Sequence, residues 1–202
     1  MLEPADEEPT DLDRILTIPN VITAVRLSLL PVFLWLLFGR DDRVAAAWLL
    51  AFVGTTDFLD GYLARHLHQV SSLGKILDPV ADRLLFFVGG GAILIDGSIP
   101  TWFAVVVLVR EVLVSGATLA LAAMGARRVD VTWWGKAGTF GLMMAFPSFL
   151  ASEGDWSWDG FFEVLAWTTG IPGLLCSLYA AALYVPIARR ALEEGRAARL
   201  AG

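Results

Sequence analysis

Apolar residues run along the chain in six stretches separated by polar turns: Val21–Phe38, Val44–Arg65, Gly74–Ile95, Pro100–Met124, Lys136–Leu150 and Phe161–Ile187. A helix crossing a bilayer needs about 20 mostly apolar residues, with roughly 17–25 as the working range. The pattern predicts an all-α integral membrane protein of six transmembrane helices. The second and third stretches reach that length only if their polar ends are helical. Leu84–Ile95 alone is too short to cross, and extending it back through Ile76, Leu77, Val80 and Ala81 places acids inside the helix. A short surface segment, Asp11–Leu16, precedes Ile18–Pro19–Asn20, where Asn20 is placed to N-cap the first helix. Gly89–Gly90–Gly91, deep in an apolar run with no Lys or Ser after it, predicts close helix packing rather than a phosphate loop. The chain divides into an acidic tail and juxtamembrane segment at 1–17, a six-helix domain at 18–190 and a tail at 191–202.

Composition sharpens this picture. The chain is 56% hydrophobic and only 18% charged, against roughly a quarter charged in ordinary soluble domains, which excludes disorder and argues against a compact soluble enzyme. Its formal charge of −6 argues against a nucleic-acid partner, which needs a basic face, and six of the 21 acids fall in the first thirteen residues. One cysteine, Cys176, excludes an intrachain disulfide and a cysteine-based metal site. The acidic N-terminus does not look like the basic start of a cleavable signal peptide. With the N-terminus in the cytoplasm, eleven Lys and Arg lie in inner segments and only Arg40 and Arg43 in outer ones. The positive-inside rule therefore puts both termini in the cytoplasm, and Trp102, Trp156 and Trp158 mark the outer boundary, with Trp133 and Trp134 at the inner one.

Four aspartates do not belong in such helices. Asp57, Asp60, Asp78 and Asp82 sit at the cytoplasmic ends of the second and third spans. On a helix, residues three and four apart lie about 60° and 40° from each other, so each pair shares a face. A short turn makes the two helices antiparallel neighbours, and the four carboxylates converge. Uncompensated membrane acids cost roughly 2.5–3.5 kcal/mol each at mid-helix. An all-oxygen set suits Mg²⁺ or Mn²⁺, and four carboxylates can hold two such ions, which clamp the attacking and leaving oxygens of a phosphoryl displacement. Gly61 admits a ligand close to the backbone, and Arg65 can grip a phosphate. Plainer readings stand beside this. Asp78–Pro79 is a good N-cap and first-turn pair; His66 and His68 fit solvated loop positions; Arg26 and Arg110 fit snorkelling or pairing residues. Glu111, adjacent to Arg110, should not share its face. Cys176 and Met143–Met144 fit an apolar core.

The joint spacing is what the plainer readings do not cover. Asp57, Asp60, Gly61, Ala64, Arg65, Gly74, Asp78 and Asp82 match D-x-x-D-G-x-x-A-R-x8-G-x-x-x-D-x-x-x-D without departure. This resembles the signature of the CDP-alcohol phosphatidyltransferase family, and the likeness runs from Ile18 to about Pro147. The resemblance implies six transmembrane helices, a homodimer, and transfer of a phosphatidyl group from CDP-diacylglycerol to an alcohol with release of CMP. It implies that Asp57, Asp60 and Asp78 hold metal, and that Asp82 both contributes to the metal site and serves as general base. It also implies that Gly61, Arg65, Ser71 and Gly74, with Asn20 and Thr23 in the first span, bind the CDP-diacylglycerol head. The implied location is the bacterial cytoplasmic membrane, with the site on the cytoplasmic side.

The acceptor is read from further motifs. The chain resembles the branch holding phosphatidylglycerophosphate synthases and actinobacterial-type cardiolipin synthases. The former typically read R-E-x-x-x-[ST]-x-L-R and G-K-x-K-T. Here Arg110–Thr118 reads R-E-V-L-V-S-G-A-T and Gly135–Thr139 reads G-K-A-G-T, so Arg110, Glu111 and Lys136 match while Thr118 and Gly138 replace two cations. Dianionic glycerol-3-phosphate should bind such a pocket less well than a monoanionic diester. The reading leans to phosphatidylglycerol as acceptor, with glycerol-3-phosphate the alternative and Arg110 and Lys136 the acceptor-site candidates either way. Two remoter readings share part of the physics. An intramembrane prenyltransferase usually has more helices and lacks the G-x-x-A-R insert, and a cation transporter would place its acids near the midplane between inverted repeats.

Overall fold

The computed structural model describes the backbone of residues 18–67, 74–123 and 132–200, and the side chains of 20–56, 80–120 and 132–183. The described residues are almost wholly helical, without a strand. Six helices follow in order: α1 Ile18–Leu34, which continues into a π-helical turn at Trp35–Gly39; α2 Arg43–Leu67; α3 Gly74–Asp96; α4 Thr101–Ala123; α5 Trp133–Ser152; and α6 Asp159–Leu200. They match the six apolar stretches to within a few residues, except that α6 runs on past Ile187. Its extension, A-R-R-A-L-E-E-G-R-A-A-R-L, is rich in strong helix formers. Among the described residues, Asn20–Gly39, Thr101–Ala120 and Asp159–Leu183 are long and apolar enough to cross a membrane. The protein is a helical membrane protein. It forms two compact units, one ending at Ala92 and the other beginning at Ile93.

In the first unit, α1 packs on α2, and the buried face of α1 changes character along its length. Asn20, Thr23 and Arg26 are buried at three-residue spacing, then Leu30, Phe33 and Leu37 at three- and four-residue spacing. Helix α1 begins at Ile18, so Asn20 is its third residue and does not cap it. Pro31 lies inside α1, where its missing N–H deprives the Leu27 carbonyl of a helical partner. The π-helical turn follows, closed by Arg40 N–H donating to Trp35 O at 3.0 Å. Gly39 accepts the Trp35 indole there, since a Cβ would stand 2.9 Å from its Cδ1. Asp41 takes a left-handed φ of 54°, and Asp42 Oδ1 then caps α2 by accepting from Ala45 N–H at 2.9 Å.

Helix α3 is continuous from Gly74, so the backward extension through Ile76–Ala81 holds, and Asp78 lies inside the helix instead of capping it. Gly97, with φ 83°, ends it by donating to Ile93 O and Leu94 O. The Ser98 hydroxyl donates to Asp96 in the turn that follows. Of the Gly89–Gly91 run, where close packing was expected, Gly89 is buried in ordinary contact and Gly91 is open. A Cβ at Gly89 would meet Leu50 Cδ1 at an ordinary 3.6 Å, and one at Gly91 would meet nothing within 4 Å.

Close approach is instead the theme of the second unit, where α5 and α6 pack along their length. The α6 face turned inward is built from Ala166, Gly170, Gly173, Leu174, Ser177 and Ala180. Opposite it lie Gly138, Leu142, Ala145, Phe146 and Phe149 of α5. A Cβ on Gly141 would stand 2.8 Å from Gly173 Cα and 2.9 Å from Thr169 O, so the two backbones touch. Between lipid tails, helices gain little from hydrophobicity and associate by such small-residue packing. Thr132, extended at ψ 155°, starts α5 by accepting from Gly135 N–H, which draws Trp133 and Trp134 into the helix three residues ahead of the expected start at Lys136. Phe103, Phe149 and Trp167 interlock by two edge contacts and one tilted contact at centroid distances of 5.1–6.1 Å, joining α4 to the pair.

Candidate active site

The motif residues fall on two helices and the connection between them. Asp57, Asp60, Gly61 and Arg65 lie on the last third of α2, while Gly74, Asp78 and Asp82 lie on the opening turns of α3. Both Asp pairs therefore keep the helical three- and four-residue registers their spacing predicts. Ser71 lies outside the described residues, as do the side chains of Asp57, Asp60, Gly61, Arg65, Gly74 and Asp78. Among the described residues no three His, Cys, Asp or Glu side chains gather into a metal site.

Asp82 is the motif acid whose side chain is described, and it is engaged. Arg26 Nη1 donates to Asp82 Oδ1 at 3.1 Å, linking the middle of α1 to α3. The arginine side chain is 4% exposed and the carboxylate 48%, so a buried cation meets a half-open anion. Burying a guanidinium is tolerable only with such partners. Asn20 and Thr23, the nucleotide candidates of α1, are 6% and 1% exposed on the same face as Arg26. Sequence reading left Arg26 as a snorkelling or pairing residue. Its place in the spacing N-x-x-T-x-x-R is the signal that sets it in line with Asn20 and Thr23.

The acceptor-side candidates lie in the second unit. Arg110 of α4 donates through Nε and Nη2 to Ser177 O, at 3.3 and 3.2 Å, and pairs through Nη1 with Glu111 Oε2 at 2.7 Å. The two residues do not share a helix face, yet their side chains meet. The backbone directions diverge, but two long side chains bend back across the gap. Ser115 Oγ completes the chain by donating to Glu111 Oε1 at 3.2 Å. Gly138 lies against the same serine: a Cβ there would stand 2.7 Å from Ser177 N and 2.9 Å from its Cα. The Ser177 hydroxyl is buried and has no hydrogen-bond partner among the described residues. Lys136 is exposed.

A sequence profile for CDP-alcohol phosphatidyltransferases matches residues 16–174. The chain belongs to this family. Among relatives of this phosphatidyltransferase, a Streptomyces coelicolor protein named cardiolipin synthase (CMP-forming) is 36% identical over 197 residues, 95% of this chain and 92% of the relative. A Bacillus subtilis protein named CDP-diacylglycerol–glycerol-3-phosphate 3-phosphatidyltransferase is 33% identical over 147 residues, 66% of this chain and 76% of its own length. A Haemophilus influenzae protein of the same name is 28% identical over 183 residues, 88% of this chain and 96% of its own length. This phosphatidyltransferase is thus an enzyme of phospholipid synthesis, with relatives on both sides of the acceptor question.

Proposed function

We propose that the enzyme transfers the phosphatidyl group of CDP-diacylglycerol to phosphatidylglycerol, forming cardiolipin and CMP at the cytoplasmic face of a bacterial membrane. Six membrane-crossing helices with both termini in the cytoplasm carry residues 18–190, flanked by 1–17 and 191–202. Besides the three apolar helices, α2, α3 and α5 have 25, 23 and 20 residues, enough for a hydrocarbon core that takes about 20. A homodimer is the assembly the family resemblance implies.

The chemistry follows from the motif. The acceptor hydroxyl oxygen attacks the phosphorus that carries diacylglycerol. The new P–O bond forms as the phosphoanhydride P–O bond breaks, CMP leaves, and the hydroxyl proton passes to ionised Asp82. Asn20, Thr23, Gly61, Arg65, Ser71 and Gly74 bind the CDP-diacylglycerol head. Asp57, Asp60, Asp78 and Asp82 form an all-carboxylate donor set, which fits Mg²⁺ or Mn²⁺, and the described member is half-exposed and accepts from Arg26 through Oδ1. Two divalent ions bound there supply charge neutralisation for the diphosphate and for departing CMP.

One observation carries the choice of acceptor. Gly138 packs against the Ser177 backbone so tightly that even a methyl group there must push α6 aside, and the second lysine of G-K-x-K-T would need far more room. The Glu111 carboxylate also offsets the charge of Arg110, so exposed Lys136 and the already paired Arg110 offer a dianionic headgroup little net positive charge. The alignment of the Streptomyces cardiolipin synthase over 95% of this chain supports the same choice.

The test is CMP release from CDP-diacylglycerol vesicles with Mg²⁺ or Mn²⁺, offering phosphatidylglycerol and glycerol-3-phosphate separately, with Asp82→Asn as the blank. Release with phosphatidylglycerol alone is expected. Release with glycerol-3-phosphate alone would overturn the acceptor and keep the family. Unchanged release by the Asp82→Asn variant would overturn the base.

A further inference from the structure

We infer that Arg26 is a built-in counter-ion of the four-aspartate site, whose fixed charge makes loading of the second divalent ion depend on the diphosphate of the donor lipid. The inference rests on the reading of Asp57, Asp60, Asp78 and Asp82 as a metal site. The observations behind it are the 3.1 Å ion pair between Arg26 Nη1 and Asp82 Oδ1 and the burial of the arginine side chain, which is 4% exposed.

A guanidinium is charged at every relevant pH, so it cannot shed its charge to admit a metal ion. Nor can it swing away as a surface cation would. Arg26 lies mid-helix in α1, with Thr23 before it and Leu30 after it in the same buried face. A charge so placed is screened far less than one in water. A divalent ion that takes Asp82 as a ligand must share that carboxylate with Arg26 or displace it, and meets the arginine's repulsion either way.

Charge counting locates the consequence. The four aspartates carry four negative charges, and Arg26 with the proposed donor-site Arg65 offsets two of them. A first divalent ion then brings the set to neutrality. A second leaves it two charges positive, and the diphosphate of CDP-diacylglycerol, with two negative charges, restores the balance. Without Arg26 the second ion finds one more uncompensated carboxylate and needs the lipid less. The arginine thus keeps the lipid-free site short of one ion, and the site takes up that ion together with the donor.

The experiment measures Mn²⁺ binding to the purified full-length protein in detergent, by electron paramagnetic resonance of free Mn²⁺. The parent is compared with Arg26→Gln, Arg26→Lys, Asp57→Asn and Arg43→Gln, and melting temperature and the KM for CDP-diacylglycerol are measured on each. Arg43→Gln removes the same charge at the far end of α2, about 21 Å along the helix from Asp57. The lipid-free parent is expected to bind one ion tightly and a second weakly. Added CDP-diacylglycerol should tighten the second, after subtraction of Mn²⁺ held by protein-free lipid micelles. Arg26→Gln is expected to tighten the second ion at least about tenfold without lipid, and to raise the KM about three- to tenfold. Arg26→Lys, which keeps the charge, and Arg43→Gln should stay within about twofold of the parent in Mn²⁺ affinity.

Two ions bound with equal tightness by the lipid-free parent would overturn the inference, a result that requires no variant to fold. Unchanged Mn²⁺ binding in Arg26→Gln would overturn it too. Weaker binding in that variant would make Arg26 an organiser of the carboxylates, and equal tightening in Arg26→Lys would take the effect away from charge; either also overturns it. No Mn²⁺ bound by the parent, or binding untouched by Asp57→Asn, would overturn the four-aspartate reading itself, a separate failure.

Discussion

Adding one methyl group at Gly138 is expected to loosen the second unit and disturb the acceptor side together. In Gly138→Ala the new Cβ would stand 2.7, 2.8 and 2.9 Å from Ser177 N, Cβ and Cα, and two of these three atoms are backbone. Ordinary contact begins near 3.4 Å, so α6 must give by about 0.7 Å locally. Overpacking of this kind costs about 1–3 kcal/mol, against which a Gly-to-Ala change in a helix returns about 1 kcal/mol. The expected net is a loss of up to about 2 kcal/mol. The displacement also exceeds the slack in the Arg110 bonds to Ser177 O, already 3.2 and 3.3 Å long. Gly116→Ala is the matched control, because a Cβ there meets nothing within 4 Å and only the helix-propensity gain applies. Melting of the detergent-purified variants should therefore move in opposite directions, down for Gly138→Ala and level or up for Gly116→Ala. The KM for the acceptor should rise in the first variant only. Equal melting temperatures would refute the packing argument, and lower stability with an unaltered acceptor KM would detach Ser177 and Arg110 from the acceptor.

Chelation by EDTA should abolish CMP release, and added Mg²⁺ or Mn²⁺ should restore it, whereas retained turnover in chelator would remove metal from the four-aspartate site. Thr132→Ala removes the side chain that accepts from Gly135 N–H and should cost about 1 kcal/mol of stability, read as a lower melting temperature. Gly141→Ala, whose Cβ would press on the Gly173 backbone at 2.8 Å, should destabilise at least as much as Gly138→Ala. It should leave the acceptor KM nearer the parent value, because Gly141 faces Gly173 and Thr169 instead of Ser177.

Helix positions were legible in the sequence because bilayer-length apolar runs and polar turns are local signals. The least obvious helix, Gly74–Asp96, follows once Ile76, Leu77, Val80 and Ala81 are admitted as helical. The motif was legible too, since its spacing is covalent. What sequence could not supply was partner choice across helices. Arg26 and Asp82 are 56 positions apart, and nothing local ties the arginine to that acid. Gly138 read as an absent cation, yet its role lies in the distance to Ser177, a quantity that exists only once α5 and α6 have docked. Asn20 and Asp78 look like helix caps by residue type, and both lie inside helices, where tertiary context overrides a local preference. The Glu111 bond to Arg110 was not legible from helix faces, because it depends on the length of the two side chains.

The buried face of α1 also acts as a depth gauge. From Asn20 to Arg26 it is polar over about 9 Å of helix rise, and from Leu30 onward it is wholly apolar. The step from a high to a low local dielectric is compressed into the single turn between Arg26 and Leu30. On a molecule whose headgroup is ionic and whose tails are hydrocarbon, such a step works as a ruler. If Asn20 and Thr23 bind the headgroup as proposed, its charged end is expected to descend as far as the arginine and no deeper, while the rest of the lipid stays in its own solvent.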